Sequence, residues 1–376
     1  MHRSARVLAN STAIGLAALA LLVAAPAAAA VSKAVGAALN QAASAAKAGN
    51  NAAAIAAIRT AENAASSAEE KSKTAQMAAY VYTRAGRYGE AANALKATGA
   101  GPAQLAPLYY RAGQYGLAVA EAKKAGGEQM QILIAQAAMR QGKYGEAVAA
   151  YNGLIRSNGP KALYLENLAG AQYKSGDKKG YLATTEKLVR SDSSSARWKT
   201  LLVNFRQNPM RPEAKLAMYH LMSATGTLEK PEDFQEFAKL ALVANQAGIA
   251  SGALAKSGGG TDAMSLKLAE AAGKMAAKAA KEAPTLSANP ATATRGGNAY
   301  LAMGQYPRAI AAYDKAIAAN GNDADQAKVF KGIAALKSGN VKGGKASFDA
   351  VSEKNGMQDI AHLWSLYAAT RGAITA

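Results

Sequence analysis

Along most of the chain apolar residues recur three and four positions apart, the spacing of one face of a helix, as at Phe234, Phe237, Leu240, Ala241 and Ala244. One short phrase interrupts these runs. It reads R-A-G-R-Y-G-E-A at 84–91, R-A-G-Q-Y-G-L-A at 111–118, R-Q-G-K-Y-G-E-A at 140–147 and A-M-G-Q-Y-P-R-A at 302–309. Weaker copies stand at 47–54, 174–181 and 337–344. Each phrase closes one helical pattern and opens another, which predicts repeated helix–turn–helix pairs. Gly86, Gly113, Gly142, Gly176, Gly304 and Gly339 are expected to end the first helices in a left-handed conformation. Tyr88, Tyr115, Tyr144 and Tyr306 start the second helices, with rings able to pack back across the turn. Ala91, Ala118, Ala147 and Ala309 follow, where two helices cross closely. Tyr151, Tyr313 and Phe348 come four residues after the matching small residue, on the same face.

These residues resemble the tetratricopeptide repeat (TPR), in an exported bacterial form. The fullest match is Arg295–Gly321, with Gly297, Tyr300, Gly304, Tyr306, Ala309, Tyr313 and Ala316 at the family's signature positions. Gln131–Leu154 follows, with Ala135, Ala138, Gly142, Tyr144, Ala147, Tyr151 and Leu154; Tyr82, Gly86, Tyr88, Ala91 and Leu95 make a third. The turn glycines Gly86, Gly113, Gly142 and Gly176 stand 27, 29 and 34 residues apart, so the early units should have shortened helices. The family's tryptophan and most of its unit-closing prolines are missing. The resemblance implies an all-α, helix-turn-helix repeat solenoid, a TPR-like superhelix with a degenerate middle section and a C-terminal capping helix. The expected organisation is an N-terminal array over 31–195, an irregular middle over 196–289, and a C-terminal repeat pair with its cap over 290–376.

Composition supports helices and thins the list of chemistries. The apolar half of the 376 residues is rich in alanine and holds only 5 Phe and 2 Trp, enough for narrow seams between helices but not for one bulky core. Cysteine is absent, which excludes disulfides, thiolate nucleophiles and lipidated cysteines. Of three histidines, His220 and His362 are far apart in sequence and His2 lies in a segment expected to be removed, so a His/Cys zinc site is excluded. That segment carries Arg3 and Arg6, an apolar stretch at Ala13–Ala25, Pro26 and the small residues Ala27–Ala30. It reads as a secretory signal peptide over 1–30, cleaved near Ala30, too short in its apolar part to span a bilayer. A soluble periplasmic protein is therefore expected, without stable membrane insertion of the mature chain. Net charge is +19 before that cleavage, which favours anionic partners.

Between the arrays, Trp198–Phe205 and Pro212–Met222 read as helices, and Gly248 with Ala253 suggests a degenerate turn. The Trp and Phe residues here are expected to be core between irregular helix pairs; an aromatic ligand pocket is the competing reading. Ser257–Thr261 is a glycine-rich loop without the Gly-Lys-Ser/Thr ending of a phosphate loop. Leu266–Lys281, rich in lysine, reads as a solvated helix of the stack rather than a membrane-surface helix. Residues 283–296 read as a loop re-entering the second array, and Asp359–Thr370 as the capping helix, with His362 on a helix face or in the core.

The resemblance implies a concave groove lined by the first helix of each pair. Its pattern places Thr83 and Arg84, Tyr110 and Arg111, Met139 and Arg140, and Tyr173 and Lys174 on that face, with Tyr80 and Gln136 one turn earlier. Arg84, Arg111, Arg140 and Lys174 would form a basic ladder interleaved with tyrosines, suited to a protein or extended peptide carrying carboxylates. The competing reading is that these cations serve only the dipole at each helix C-terminus. The expected function is a non-enzymatic scaffold or adaptor in envelope assembly, export or polymer synthesis, needing no cofactor. The alternatives are a binder of an anionic envelope polymer, such as lipopolysaccharide or acidic glycan, and a helical-repeat envelope enzyme. The latter needs a catalytic domain that no segment supplies, and no nucleic-acid motif is present.

Overall fold

The computed structural model describes residues 31–257, 262–352, 356–372 and 374. The leader expected over 1–30 lies outside the described residues, as does most of the glycine-rich loop. The described residues form 20 α-helices and one 3-10 turn, and within each unit most helices pack against the next one along the chain. The fold is the expected all-α repeat array. It divides into two compact units, Met1–Leu133 and Ile134–Ala376.

The first unit contains α1 (Lys33–Lys47), α2 (Asn51–Ala64), α3 (Ala68–Arg84), α4 (Tyr88–Ala97), α5 (Pro102–Arg111) and α6 (Tyr115–Ala125). Helix α7 (Gly127–Arg140) contains the division. The second unit continues with α8 (Tyr144–Asn158), α9 (Ala162–Ser175), α10 (Lys178–Ser191), α11 (Ser195–Phe205), α12 (Pro212–Thr225), α13 (Pro231–Val243) and α14 (Ala247–Lys256). It ends with α15 (Ala263–Ala288), a 3-10 turn (Pro290–Thr292), α16 (Ala293–Ala302), α17 (Tyr306–Ala319), α18 (Ala324–Lys337), α19 (Val341–Asp349) and α20 (Gln358–Thr370).

The recurring phrase does locally what its residues dictate. Gly86, Gly113, Gly142, Gly176, Gly304 and Gly339 all have φ between +72° and +83°. Past each glycine the next amide reaches back to close the helix, as Arg87 N–H does to the Tyr82 carbonyl at 2.8 Å. Ala91, Ala118, Ala147 and Ala309 are fully buried at the crossings. Tyr313 lies over Gly297, where an added Cβ would stand 2.7 Å from the ring, and Phe348 lies closer still over Gly332. The tight early spacing appears as short helices: α4 and α5 have 10 residues and α6 has 11, against 15 in α8.

Two local expectations are corrected. The degenerate turn falls at Asn245, not at Gly248: Asn245 has φ +62° and Gln246 N–H bonds the Ala241 carbonyl at 2.7 Å. Asparagine takes glycine's left-handed role there. Gly248 instead lies inside α14, where a Cβ would collide with the Ala302 carbonyl. The loop expected over 283–296 is almost entirely helical: 283–288 end α15, 290–292 form a 3-10 turn and 293–296 open α16. Pro284 sits on the exposed side of α15, while Ala272, Ala279 and Ala283 stay buried and carry the packing face through it.

The bulky residues are core, as expected. Trp198, Tyr219, Phe330 and Trp364 are essentially inaccessible within one large apolar cluster of the second unit. Helix α12 is among its well-enclosed elements, with every residue from Leu216 to Met222 buried. The terminal helix α20 forms where expected, but it does more than cover the last seam. It packs against α18 and α19 and returns to α10 and α12.

Candidate functional site

The predicted groove positions lie at the ends of first helices. Arg84 and Arg111 are the last residues of α3 and α5, Arg140 is the last of α7, and Lys174 the next to last of α9. All four are exposed. Each precedes a left-handed glycine, so each also meets the partial negative charge of its helix C-terminus, worth about 0.3–1 kcal/mol. Helix-end stabilisation and a ligand contact are compatible uses of the same side chain.

In the first unit the cations are held by aromatic rings. The Arg84 guanidinium lies 5.9 Å from the Tyr80 ring centre, one turn back on α3. The Arg111 guanidinium lies 5.0 Å from the ring centre of Tyr88 at the start of α4. Tyr110 meets Tyr115 edge-on across the Gly113 turn, with ring centres 5.5 Å apart. Neighbouring Arg87 also stacks, on Tyr82 at 5.3 Å, but its charge is answered by Glu90. Among the described residues neither Arg84 nor Arg111 has a carboxylate within ion-pair distance. A stacked guanidinium retains its edge N–H groups for an incoming carboxylate, and the ring limits its rotamers.

In the second unit Gln136 and Met139 are half-buried on α7, beside Arg140. On α9, Tyr173 is 60% exposed and lies 5.7 Å from the ring of Tyr181. Asn204 Nδ2 donates to the Tyr181 hydroxyl at 3.0 Å, which fixes the platform under Tyr173. Lys174 stands next to it in sequence. The structure thus groups Arg84, Arg111, Tyr80 and Tyr110 in one unit, and Arg140, Lys174, Tyr173, Gln136 and Met139 in the other.

The sequence reading did not count Tyr88, Tyr115 and Tyr181 among the site residues. They restrain Arg111, Tyr110 and Tyr173 respectively. The signal for the first two was present: each is the tyrosine two residues after a turn glycine.

The histidines have structural surroundings. His220 is buried, its ring edge-on to Phe237 and Phe330, and its Nε2 hydrogen-bonds Gln246 Oε1 at 2.7 Å. Burial pushes its pKa down to about 3. His362 is exposed on α20, and Glu186 of α10, 2.8 Å away, raises its pKa. A small polar cleft of about 150 Å³ contains Glu213, Asp323 and Asp325. Its Asp325 is engaged by Lys328 at 2.8 Å and by the Ser352 hydroxyl at 2.6 Å. Among the described residues no group of three or more His, Asp or Glu is arranged to hold a metal. No described helix is long and apolar enough to cross a membrane.

The tetratricopeptide-repeat family model matches residues 132–196 and 294–371. Among solved structures, the chain is similar to the TPR2AB-domain:pHSP90-complex of yeast Sti1, at 18% identity over 71% of this chain and 96% of that one, with TM-score 0.24. A tetratricopeptide repeat protein from Parabacteroides merdae matches at 13% identity over 78% of this chain and 99% of that one, with TM-score 0.21. Naa15/Naa10 bound to HypK-THB matches at 13% identity over 84% of this chain and 63% of that one, with TM-score 0.26. No curated protein matches the chain.

Proposed function

We propose that this chain, which matches the tetratricopeptide repeat over residues 132–196 and 294–371, is a repeat scaffold of the kind that generally mediates protein–protein interaction and an exported, non-enzymatic adaptor for acidic protein segments. The observation that carries the reading is the pair Arg84 and Arg111. Both are exposed, both rest on tyrosine rings, and neither meets a carboxylate among the described residues. An acidic peptide crossing the ends of α3 and α5 would supply the missing partners, and Tyr110 adds rigid contact area. Tyr173 and Lys174 in the second unit offer the same chemistry. Such an adaptor suits envelope assembly, export or polymer synthesis, where the basic leader and short apolar stretch of residues 1–30 would deliver it.

The test is binding of a fluorescent Asp/Glu-rich peptide to the mature chain and to an Arg84→Gln/Arg111→Gln variant. The reading predicts a loss of about tenfold or more in affinity, since each charge-assisted contact contributes on the order of 1 kcal/mol or more. Unchanged affinity with a slightly lower melting temperature would reduce these arginines to helix-end stabilisers. Preference for polygalacturonate over the peptide, collapsing with added salt, would point instead to an anionic polymer.

A further inference from the structure

Helix α12 does not behave as a member of the repeat. From α8 onward the other successive helices pack closely, but α12 meets its neighbours α11 and α13 only lightly. It packs comparably against α18 and α20, elements more than a hundred residues further on. The Trp364 indole on α20 donates to the Ala217 carbonyl on α12 at 3.1 Å. His220 is clasped between Phe237 of α13 and Phe330 of α18, with ring centres 5.0 and 5.7 Å away. Tyr219 stacks on Phe237 at 5.8 Å.

The helices that receive α12 share a place in the repeat. α13 precedes the left-handed turn at Asn245, and α18 precedes the one at Gly339. Both are therefore first helices of their pairs, and α20 follows α19 in the first-helix position. First helices line the inner face of such an array. Helix α12 also has the composition of an inserted helix. Leu216, Ala217, Met218, Tyr219, Leu221 and Met222 are buried in one unbroken run with His220, so no face is left for solvent. Pro212 opens it, and Gly226, at φ +69°, closes it.

We propose that the inner face of α13–α20 is a helix-binding surface whose resident ligand is the chain's own α12. The surface selects an apolar helix with a small residue at Ala217, beneath Trp364, and a compact polar ring at His220, facing Gln246. Because α12 is covalently tethered at both ends, its effective concentration exceeds that of a free competitor. The C-terminal repeats are thereby closed to external helices. This holds whether or not acidic peptides bind the arginines of α3 and α5.

The test uses a labelled peptide of residues 211–226 and the full chain. Wild-type protein should show no saturable binding. Ala217→Asp, which buries a carboxylate under the indole, should keep its helical circular dichroism and melt roughly 10 °C lower. Excess peptide should then bind that variant and raise its melting temperature again. Leu221→Ala, a milder truncation on the same helix, provides the measurement if Ala217→Asp does not fold. Saturable binding to the wild type would overturn the proposal, because α12 would not be the resident ligand. Failure of the peptide to bind or restore a folded, destabilised variant would overturn it too, because the face would have no affinity for the helix.

Discussion

Trp364 Nε1 donates a 3.1 Å hydrogen bond to the carbonyl oxygen of Ala217, 147 residues earlier in the chain. The bond ties the last helix of the second unit to α12. The same indole stacks on Phe348 at 5.8 Å and meets Tyr367 edge-on at 5.5 Å.

Trp364→Ala should therefore cost about 3–5 kcal/mol, the range for emptying a buried aromatic site. Trp364→Phe should cost less, since it keeps ring packing and loses mainly the hydrogen bond. Denaturant unfolding followed by circular dichroism measures both. In either variant the remaining tryptophan, Trp198, whose ring lies 6.1 Å from Tyr367, reports on the same region by fluorescence.

The glycines beneath the rings give a sharper contrast. Gly297→Ala would place a methyl 2.7 Å from Tyr313, and Gly332→Ala would press on Phe348. Each should destabilise by about 1–3 kcal/mol through overpacking. Gly145→Ala, on a helix with open space around the added Cβ, should instead stabilise by about 0.5–1 kcal/mol. Thermal melts of the three variants separate the two mechanisms.

Asn245 tests the turn that lacks glycine. Its φ of +62° costs energy, but its Nδ2 donates to the Arg295 carbonyl at 3.2 Å. Asn245→Gly relieves the strain and loses the bond, so its net effect should lie within about 1 kcal/mol of zero. Asn245→Ala keeps the strain without the bond and should be clearly destabilising.

His220 and His362 should give opposite pH dependences. His220 is held neutral by burial, with a pKa near 3 against an ordinary 6.5. The unfolded chain takes up this proton first, so the stability it supports is full above about pH 6.5 and fades as the pH falls toward 3. His362 is raised above 6.5 by Glu186, so its contribution is full below that value and fades as the pH rises through the folded-state pKa. His362 is exposed on its side of the pair, so the effect should stay under about 1 kcal/mol. Melting temperature against pH should lose part of its acid limb in His220→Gln and part of its alkaline decline in His362→Gln.

What the sequence made legible was local. The turn glycines, the tyrosine two residues on and the buried alanine lie within eight residues of one another, and a helix–turn–helix needs no more than that to be recognised. Asn245 escaped because its turn has asparagine for glycine and Ala247 for tyrosine. Pro284 suggested a loop because its effect depends on which face of α15 is buried, and Ala283 decides that through packing with other helices. The insertion of α12 was out of reach for the same reason. The sequence shows a helix over Pro212–Met222, but its partners Phe330 and Trp364 are set by how the later helices pack in three dimensions. For the arginines, spacing identified the helix ends. The Tyr80 ring beneath Arg84 is one turn back on the same helix and within reach of the sequence; the Tyr88 ring beneath Arg111 became visible only with α4 in place.

The reading of Arg84 and Arg111 as peptide contacts is tested most directly by photo-crosslinking from Thr83, which precedes Arg84 on α3. A benzophenone side chain at position 83 should capture an added acidic peptide, and Arg84→Gln/Arg111→Gln should abolish the adduct. The same probe at Val243, 86% exposed on α13, should capture none. Equal capture at both positions, or an adduct indifferent to the two arginines, would contradict the account.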